Sequence, residues 1–429
     1  MGNNRKENNN MKKQTWKAAV SAAAIVAGAA IPMAANADTI EINGVTWTYV
    51  VNDATAKTVT LGNGTNPAMP VGTAIDAKYI PWTFYVGDDK YTVSQIAGNA
   101  FKDCSKLTGT LSIPPTVKKI TGHAAFYGTG LTSVSSFGDG LEPGNGNQQT
   151  FKNSQLTGVL VIPDSYSQNI PNFTFDGCAN LTGIIVGIGT AYIGQYFGSN
   201  CSRLEGVWVK GYPNVTSGTQ AYTPVTVRNA WRGSPNLKVV LCGANTSMGE
   251  TYGNQYGLIG VTGCKVFVPA NGKWNNVAAH LGGTNTKLIP YGPGKDVDLS
   301  IDEAAGKVSA TPTTPVALVQ VLEAATTFKS VFKLDTRISV TNTLDLTGVT
   351  ITEQMVSGVT FDRLMFSAKT QAQLNAILDA FPATTPISID PTGLTENMVI
   401  PETYNNVHVK TVPGVTIKRT TKGFMLIVK

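Results

Sequence analysis

The residues best suited to chemistry are few and scattered along this chain. The three histidines, His123, His280 and His408, fall in three separate regions, so the H-E-x-x-H arrangement of zinc hydrolases does not occur. The sequence also lacks a G-x-S-x-G nucleophile elbow and a glycine-rich loop with the lysine of a phosphate cradle. We therefore predict no catalytic residue, no metal site and no bound cofactor.

Acidic side chains are the remaining candidates for catalysis, because a parallel β-solenoid can carry polysaccharide-cleaving carboxylates in a row on one face. Asp103, Asp176 and Glu205 instead lie singly, in or next to predicted turns. Two opposed carboxylates within the ~5–10 Å that glycoside hydrolysis requires stay an open alternative. We assign these three residues no catalytic role and predict that the protein is not an enzyme.

Five cysteines could form either a buried stack or disulfides. Cys104, Cys178 and Cys201 each follow an aromatic residue by three or four positions, where related segments have Ser or Thr. A slot shared by Cys, Ser and Thr is typical of a small buried position, and that is the interpretation we favour. Neighbouring coils could still pair Cys178 with Cys201, or Cys242 with Cys264. The odd count leaves at least one thiol free.

A repeat positions most of these residues. An aromatic residue recurs about six positions before a leucine that opens a short β-run, and the six copies begin at Phe101, Phe126, Phe151, Phe175, Phe197 and Trp231. A period of roughly 20–29 residues with leucine-led strands predicts a leucine-rich-repeat β-solenoid. We place it at residues 91–292, with the regular copies ending near 245. The long spacing before Trp231 predicts an insertion at residues 211–227.

The first 37 residues have the pattern of a secretory signal peptide. Lys12, Lys13 and Lys17 precede an apolar stretch at residues 18–31, and a small-x-small site ends at Ala37. We expect cleavage between Ala37 and Asp38. The first 37 residues carry five basic residues and one acidic residue, so removal lowers the formal net charge from +6 to about +2. That balance gives no basis for nucleic-acid binding. No later apolar run reaches transmembrane length.

Two further segments flank the repeats. Residues 38–90 alternate apolar and polar residues around Asn43-Gly44, which predicts a β-hairpin and an N-terminal β-cap. Residues 295–429 combine strand-like runs with helical spacing at 315–325 and 370–381, and either Ser367 or Thr370 could cap the second helix. We predict a C-terminal mixed α/β domain whose role its residues do not reveal.

The repeat unit resembles the BspA-like leucine-rich-repeat family. The string A-F-x-x-C-x-x-L-T-G-x-L-x-I-P stands at residues 100–114 and recurs with small changes at 150–163 and 174–186. The resemblance covers roughly residues 78–290, and the second and fifth copies depart from it by a deletion and an insertion. It implies a right-handed solenoid in a secreted or surface-displayed protein of host-associated microbes, often linked to adhesion or host-protein binding. It transfers no catalytic motif.

One aromatic group is the candidate ligand surface. If Leu204, Val207 and Val209 point inward, Trp208 faces solvent beside the insertion that carries Tyr212 and Tyr222. Exposed aromatic side chains are common anchors for ligands. The alternative is a register shifted by one residue, which would make Trp208 part of the core.

The function that these observations favour is binding of an extracellular protein or glycan by a secreted or surface-displayed protein, most plausibly in adhesion. The alternatives are an exported carbohydrate-active enzyme, and a structural component of the cell surface anchored by residues 295–429. The sequence does not identify the ligand, the route of anchoring or the oligomeric state.

Overall fold

The computed structural model describes residues 37–138, 149–166, 169–190, 193–211, 230–243, 246, 257–270, 282–420 and 423–428. Two hydrophobic cores run through these residues. One fills the interior of the β-cap and the stacked repeats. The other lies between the outward face of the sheet and the C-terminal segment.

The segment before the repeats is a small β-cap, as its alternating residues predict. β1 (Asp38–Ile42) and β2 (Val45–Asp53) form an antiparallel hairpin across Asn43 and Gly44, which both have positive φ. The other elements of the cap are β3 (Thr58–Leu61), β4 (Ile75–Asp76), a 3-10 helix (Ala77–Tyr79), β5 (Thr83–Val86) and β6 (Asp89–Ala97). Trp47 is fully buried and its ring lies 6.5 Å from that of Phe101, edge to face. The cap therefore covers the end of the solenoid core.

The repeats form a parallel β-solenoid. Its strands are β7 (Leu107–Ile113), β8 (Lys119–Thr121), β9 (Gly130–Phe137), β10 (Gly158–Ile162), β11 (Leu181–Val186), β12 (Gly206–Val209), β13 (Val239–Cys242), β14 (Lys265–Pro269) and β15 (Lys287–Tyr291). β7 pairs with β9, and each strand from β10 to β15 pairs in parallel with the next. Side chains alternate between the interior of the coils and the outward face of this sheet. The predicted leucine-rich-repeat solenoid is confirmed.

The aromatic residues that begin the repeats form a stack. The rings of Phe101, Phe126, Phe151 and Phe175 follow one another at 4.9, 5.2 and 5.6 Å, within 10° of parallel. Phe197 breaks this order, because its ring stands at 81° to that of Phe175. The fifth repeat is thus irregular, as its spacing predicts.

Backbone conformation explains the irregularity of the fifth copy. In the first copy the residues two before and two after the aromatic, Asn99 and Asp103, have left-handed φ of 58° and 59°. In the fifth copy Tyr196 and Asn200 have the corresponding φ of 56° and 54°. The central position between them is Gly198 rather than Phe197. Assigning Phe197 as the fifth starter is therefore wrong by one residue, and Cys201 then stands three residues after the starter position, as in the other copies.

The C-terminal segment contains both strands and helices, as predicted. Its elements are β16 (Val297–Asp302), β17 (Lys307–Pro312), α1 (Pro315–Ser330), β18 (Asp335–Ser339), α2 (Glu353–Val356), β19 (Thr360–Ser367), α3 (Gln371–Ala380), β20 (Ile387–Asp390), β21 (Met398–Ile400), β22 (Val407–Val409), β23 (Val415–Thr420) and β24 (Gly423–Val428). Thr314 caps α1 and Thr370 caps α3, each accepting a backbone N–H through its side chain. Of the two residues considered as caps of α3, Thr370 is the one used.

The sheet of the repeats continues into this segment, which the sequence did not indicate. Tyr291 on β15 pairs with Val297 on β16, and β17, β18, β19, β20 and β22 follow as a parallel ladder after one antiparallel hairpin. Leu344, Phe366 and Ile389 lie beside one another on successive coils. The C-terminal segment is thus built largely of further parallel coils. Among the residues described, no helix is long and apolar enough to cross a membrane.

Candidate ligand-binding surface

Trp208 occupies the outward face of the sheet but is not exposed. Val207 and Val209 are buried in the solenoid core, so the predicted register is correct. Trp208 belongs to the second core, retains only 4% of its accessible surface, and packs against Phe332 with ring centroids 5.8 Å apart. Both expectations for Trp208 need correction: it neither faces solvent nor enters the solenoid core. Tyr212 and Tyr222, with most of the 211–227 insertion, lie outside the described residues.

A column of apolar side chains on the outward face explains why Trp208 is covered. Successive strands align Val161, Ile185, Trp208, Leu241, Phe267 and Ile289. Val161 is 48% exposed, whereas the others are buried under the C-terminal segment. Burying such a column is favourable, because removal of apolar surface from water contributes roughly 25 cal/mol per Å².

Helix α1 and the turn after it cover this column by close contact. Phe328 packs on Phe267 with ring centroids 5.6 Å apart. At Gly206 an added Cβ would lie 2.9 Å from Thr327 and 3.0 Å from Phe332, so glycine allows the helix to approach the strand. Gly183 plays the same part opposite Val331.

Ion pairs at the border of this contact join the repeats to the C-terminal segment. Lys265 lies 2.6 Å from Glu323 on α1. Lys210 lies 2.6 Å from Glu303 and 3.3 Å from Asp164, and is only 14% exposed. Burial lowers the pKa of Lys210, but the hydrogen bonds and charges of Glu303 and Asp164 outweigh that effect and raise it overall. Lys210 is therefore charged at neutral pH and holds two segments of the chain together.

The sequence does carry a signal for this cover. The strands G-V-W-V, V-V-L-C and K-V-F-V-P are apolar at nearly every position, without the alternation seen in L-T-G-T-L-S-I. Continuous apolar runs are typical of parallel strands that are covered on both faces. Strands that are apolar at nearly every position begin at β10, one strand before the outward face becomes buried at Ile185 on β11.

No described residue covers the outward face of β7, β9 and β10, and we call it the hydroxyl face. Its exposed or partly exposed side chains are Thr108, Thr110, Ser112, Thr132, Ser133, Ser135, Ser136, Thr157, Val159 and Val161. Hydroxyl groups dominate at the β7 end, and the two valines border the region covered by α1. This face lies next to the covered column and extends over β7 and β9 of one sheet and β10 of the next.

Most hydroxyl protons on this face are donated within the protein. Thr132 donates to the Gly109 carbonyl at 3.2 Å, and Thr157 donates to the Thr132 carbonyl at 3.3 Å. Thr110 and Ser133 hydrogen-bond to each other at 2.7 Å. Because a hydroxyl has two acceptor lone pairs besides its one proton, these groups retain the capacity to accept from a ligand.

Charged and aromatic groups stand at the β4 edge of the hydroxyl face. The Asp76 carboxylate lies against Gly109, where an added Cβ would be 2.9 Å from it, and Gly109 has φ of +83°. The same carboxylate accepts the backbone N–H of Lys78, whose ammonium lies 5.0 Å from the centre of the Tyr79 ring. Tyr79 is 54% exposed. Asp76, Lys78 and Tyr79 thus form a compact group, the edge triad, beside strand β7.

The cysteines lie in the solenoid core as free thiols. All five are buried, and neither Cys178 with Cys201 nor Cys242 with Cys264 is bonded. The Cys178 thiol donates to the Phe151 carbonyl at 3.0 Å, as the Ser154 hydroxyl does at 2.6 Å. Burial raises the pKa of Cys201 to about 12 and that of Cys104 to about 11. Neutral thiols of this kind are poor nucleophiles.

Of the three acidic residues considered for catalysis, Asp176 and Glu205 form ion pairs with lysines. Asp176 is buried, pairs with Lys152 at 2.7 Å and accepts from the Asn200 amide. Glu205 pairs with Lys238 at 2.9 Å, and Asp103 is exposed in a turn. Within the described ranges no group of three or more His, Cys, Asp or Glu side chains is arranged to hold a metal ion. His123 and His408 are exposed, and His280 lies outside those ranges.

Comparisons with known proteins place the repeats in a recognised class. A BspA type leucine-rich-repeat region, in six copies, matches residues 89–205. No curated protein matches the chain. Solved structures with similar folds include the pneumococcal vaccine antigen PcpA, at 16% identity, 87% coverage of this chain, 99% of that chain and a TM-score of 0.34.

Two further solved structures are those of leucine-rich proteins. A leucine-rich-repeat protein of Bacteroides ovatus is 15% identical, with 82% and 99% coverage and a TM-score of 0.24. A leucine-rich cell surface protein of Faecalibacterium prausnitzii is 15% identical, with 79% and 97% coverage and a TM-score of 0.26.

Proposed function

Residues 89–205 form a BspA-type leucine-rich-repeat region, and from that premise we propose that the protein is exported and binds an extracellular macromolecule in adhesion. The binding surface in this proposal is the hydroxyl face of β7, β9 and β10 together with the edge triad. The observation that carries it is the division of the outward face into a covered apolar part and an uncovered polar part. Repeat solenoids commonly bind partners through such extended surfaces.

The division of the face supports a binding role because the chain already buries its apolar column. Ile185, Trp208 and Leu241 are covered by the C-terminal segment, whereas the hydroxyl face has no cover among the described residues. Its short side chains stand on paired strands and are pre-organised. Binding a ligand would therefore cost little conformational entropy of the protein. In this proposal residues 297–428 have a structural part, since α1 completes the second core.

Export is supported by the N-terminal sequence pattern. Cleavage between Ala37 and Asp38 would leave β1 intact, because that strand begins at Asp38. Free, buried thiols do not depend on an oxidising compartment for folding, so the mature protein would be stable on either side of the membrane.

The test is a binding screen of the chain that lacks residues 1–37 against matrix proteins, mucins and glycans. We expect at least one ligand, and we expect Thr110→Asp with Thr132→Asp on the hydroxyl face to abolish its binding. Thr46→Asp, at an exposed strand position of the β-cap, is the matched control and should leave binding unchanged. Absence of any ligand across the panel, or a ligand indifferent to the face variants, would contradict the proposal.

A further inference from the structure

We propose that the ligand of the hydroxyl face is a neutral glycan, an inference that rests on the binding role proposed above. Strands β7, β9 and β10 contain no Asp, Glu, Lys, Arg or His, so the face itself is uncharged. An uncharged face offers no electrostatic complement to nucleic acids or to sulfated and acidic polysaccharides, whose binding depends on basic residues. The ligand that it suits is a neutral polymer.

The size of the face favours a glycan over a protein. Seven residues of β7 at about 3.3 Å each, and three strands at about 4.8 Å each, give a patch of roughly 23 by 14 Å. That is a flat footprint of about 320 Å² before the edge triad is added, which is small beside the roughly 800 Å² of accessible surface that each partner buries in a stable protein complex. A segment of a linear polysaccharide can cover a narrow strip of this kind with several sugar units.

Hydrogen bonding on the face matches a polyhydroxylated ligand. Thr132 and Thr157 donate their protons to strand carbonyls, which leaves acceptor capacity on their oxygens. Ser136 also donates to a strand carbonyl but accepts the Gly138 backbone N–H, so it has one lone pair left. A sugar hydroxyl can donate to such acceptors while its own oxygen accepts elsewhere. The acceptors follow β7 and β9, which pair in parallel, and Thr157, whose backbone N–H donates to the Thr132 carbonyl, extends them towards β10. Successive coils about 4.8 Å apart thus present hydroxyl groups to an extended polymer.

The edge triad provides the other two groups that a glycan site needs. The Tyr79 ring remains more than half exposed beside the face, and the C–H side of a pyranose ring can pack on its negative π surface. The Asp76 carboxylate is 37% exposed; one oxygen accepts the backbone N–H of Lys78 and the other lies 3.5 Å from the Lys78 ammonium. Its remaining lone pairs can accept from sugar hydroxyls. Lys78 holds both groups in place, through its backbone N–H to Asp76 and its ammonium over Tyr79.

The experiment measures binding of the chain without residues 1–37 to soluble neutral polysaccharides, namely glucans, mannans, galactans and xylans, by isothermal titration calorimetry. Heparin and a matrix protein such as collagen are the charged and proteinaceous comparisons. We expect a neutral glycan to bind, with an affinity that changes less than about twofold between low and high salt, because no exposed charge pairs form.

Two sets of variants separate a glycan site from a protein site. Thr110→Val with Thr132→Val keeps the shape of the face and removes acceptors, so glycan affinity should fall roughly tenfold. A protein bound through apolar contacts would instead bind equally well or better. Tyr79→Ala should reduce glycan affinity on the order of tenfold. The matched controls are Thr46→Val and Tyr85→Ala, since Tyr85 is 62% exposed on another strand, and both should bind as the unchanged protein does.

The outcomes distinguish this inference from the broader proposal. If a protein from the earlier screen binds through the hydroxyl face and no neutral glycan binds, the glycan inference is overturned and the binding function stands. If a glycan binds but the Thr→Val variants bind it equally well, the hydroxyl face is not its site and the inference also fails. If neither class binds, both proposals fall together.

Discussion

Trp208 and Phe332 pack together at 5.8 Å between ring centroids, although they belong to segments that the sequence separates into a repeat region and a C-terminal region. This contact shields the largest outward-facing side chain of the solenoid from water. In the column that contains Trp208, Ile185 is also buried and Val161 is exposed. The surface available to a ligand therefore begins at Val161.

Replacing Trp208 tests the structural role of that contact. Trp208→Ala should lower the free energy of unfolding by about 3–5 kcal/mol, since a buried Trp is removed and a cavity is left. Val161→Ala, in the same column but exposed, should cost under about 1 kcal/mol. Equilibrium denaturation by urea measures both. If Trp208→Ala left stability unchanged and reduced ligand binding, Trp208 would be a surface anchor after all.

Lys210 should contribute to the joint between the repeats and the C-terminal segment. Lys210→Met is expected to destabilise the protein by about 1 kcal/mol, because Glu303 and Asp164 lose their partner while remaining partly solvated. Lys238→Met breaks a more exposed pair with Glu205 and should cost less. Equal losses for the two variants would argue against a special role for Lys210.

The pH dependence of the Lys210 contribution follows from its raised pKa. Because the folded-state pKa lies above the ordinary lysine value, about 10.4, the contribution is complete below that value and is lost as the pH rises through the folded pKa. The stability difference between the unchanged protein and Lys210→Met should therefore be constant from pH 6 to 9 and shrink only in strong alkali. A difference that disappeared near neutral pH would contradict this assignment.

Asp390 should contribute stability that acid removes. Its carboxylate accepts from the Thr392 hydroxyl at 2.6 Å and pairs with Lys410 at 2.9 Å, and these contacts lower its pKa. The contribution is present above the ordinary aspartate value, about 3.9, and is lost as the pH falls through the lowered folded pKa. Asp390→Asn should cost about 1 kcal/mol at pH 7 and progressively less as the pH falls below the ordinary aspartate value, measured by urea denaturation. Asp298→Asn, at an exposed position, is the control.

The cysteine slot should accept serine and reject larger residues. Cys178→Ser is expected to cost about 1 kcal/mol or less, because the hydroxyl can donate to the Phe151 carbonyl as Ser154 does. Cys178→Leu should cost about 1–3 kcal/mol through overpacking. A thiol reagent at pH 8 should label none of the five cysteines before denaturation and all five after it. Rapid labelling of the folded protein would show that the thiols are accessible.

Local periodicity predicted much of the fold. The repeat spacing predicted the solenoid, and the Asn43-Gly44 turn predicted the hairpin. The position shared by Cys, Ser and Thr predicted a buried stack. The one-residue shift at Gly198 was not predicted, because an aromatic residue stands at Phe197 and only the left-handed φ of Tyr196 and Asn200 reveals the frame. Backbone conformation of this kind depends on the coils above and below rather than on the residue itself.

The candidate binding surface was predicted less well. Trp208 was assigned to the correct side of its strand, but solvent exposure is decided by whatever packs on that side. The hydroxyl face was visible in the sequence only as Thr and Ser between buried residues, a pattern equally typical of any half-exposed strand.

By itself the sequence determined a leucine-rich-repeat solenoid with a β-cap and two helices after it, because these features depend on the spacing of residues along the chain. It also showed that the common catalytic motifs do not occur. Only the tertiary structure decided that the C-terminal segment folds back over Trp208, continues the same sheet from Tyr291 to Val297 and leaves the hydroxyl face open. Burial at each strand position is a property of contacts between distant segments, and α1 reaches the sheet only because Gly183 and Gly206 leave it room.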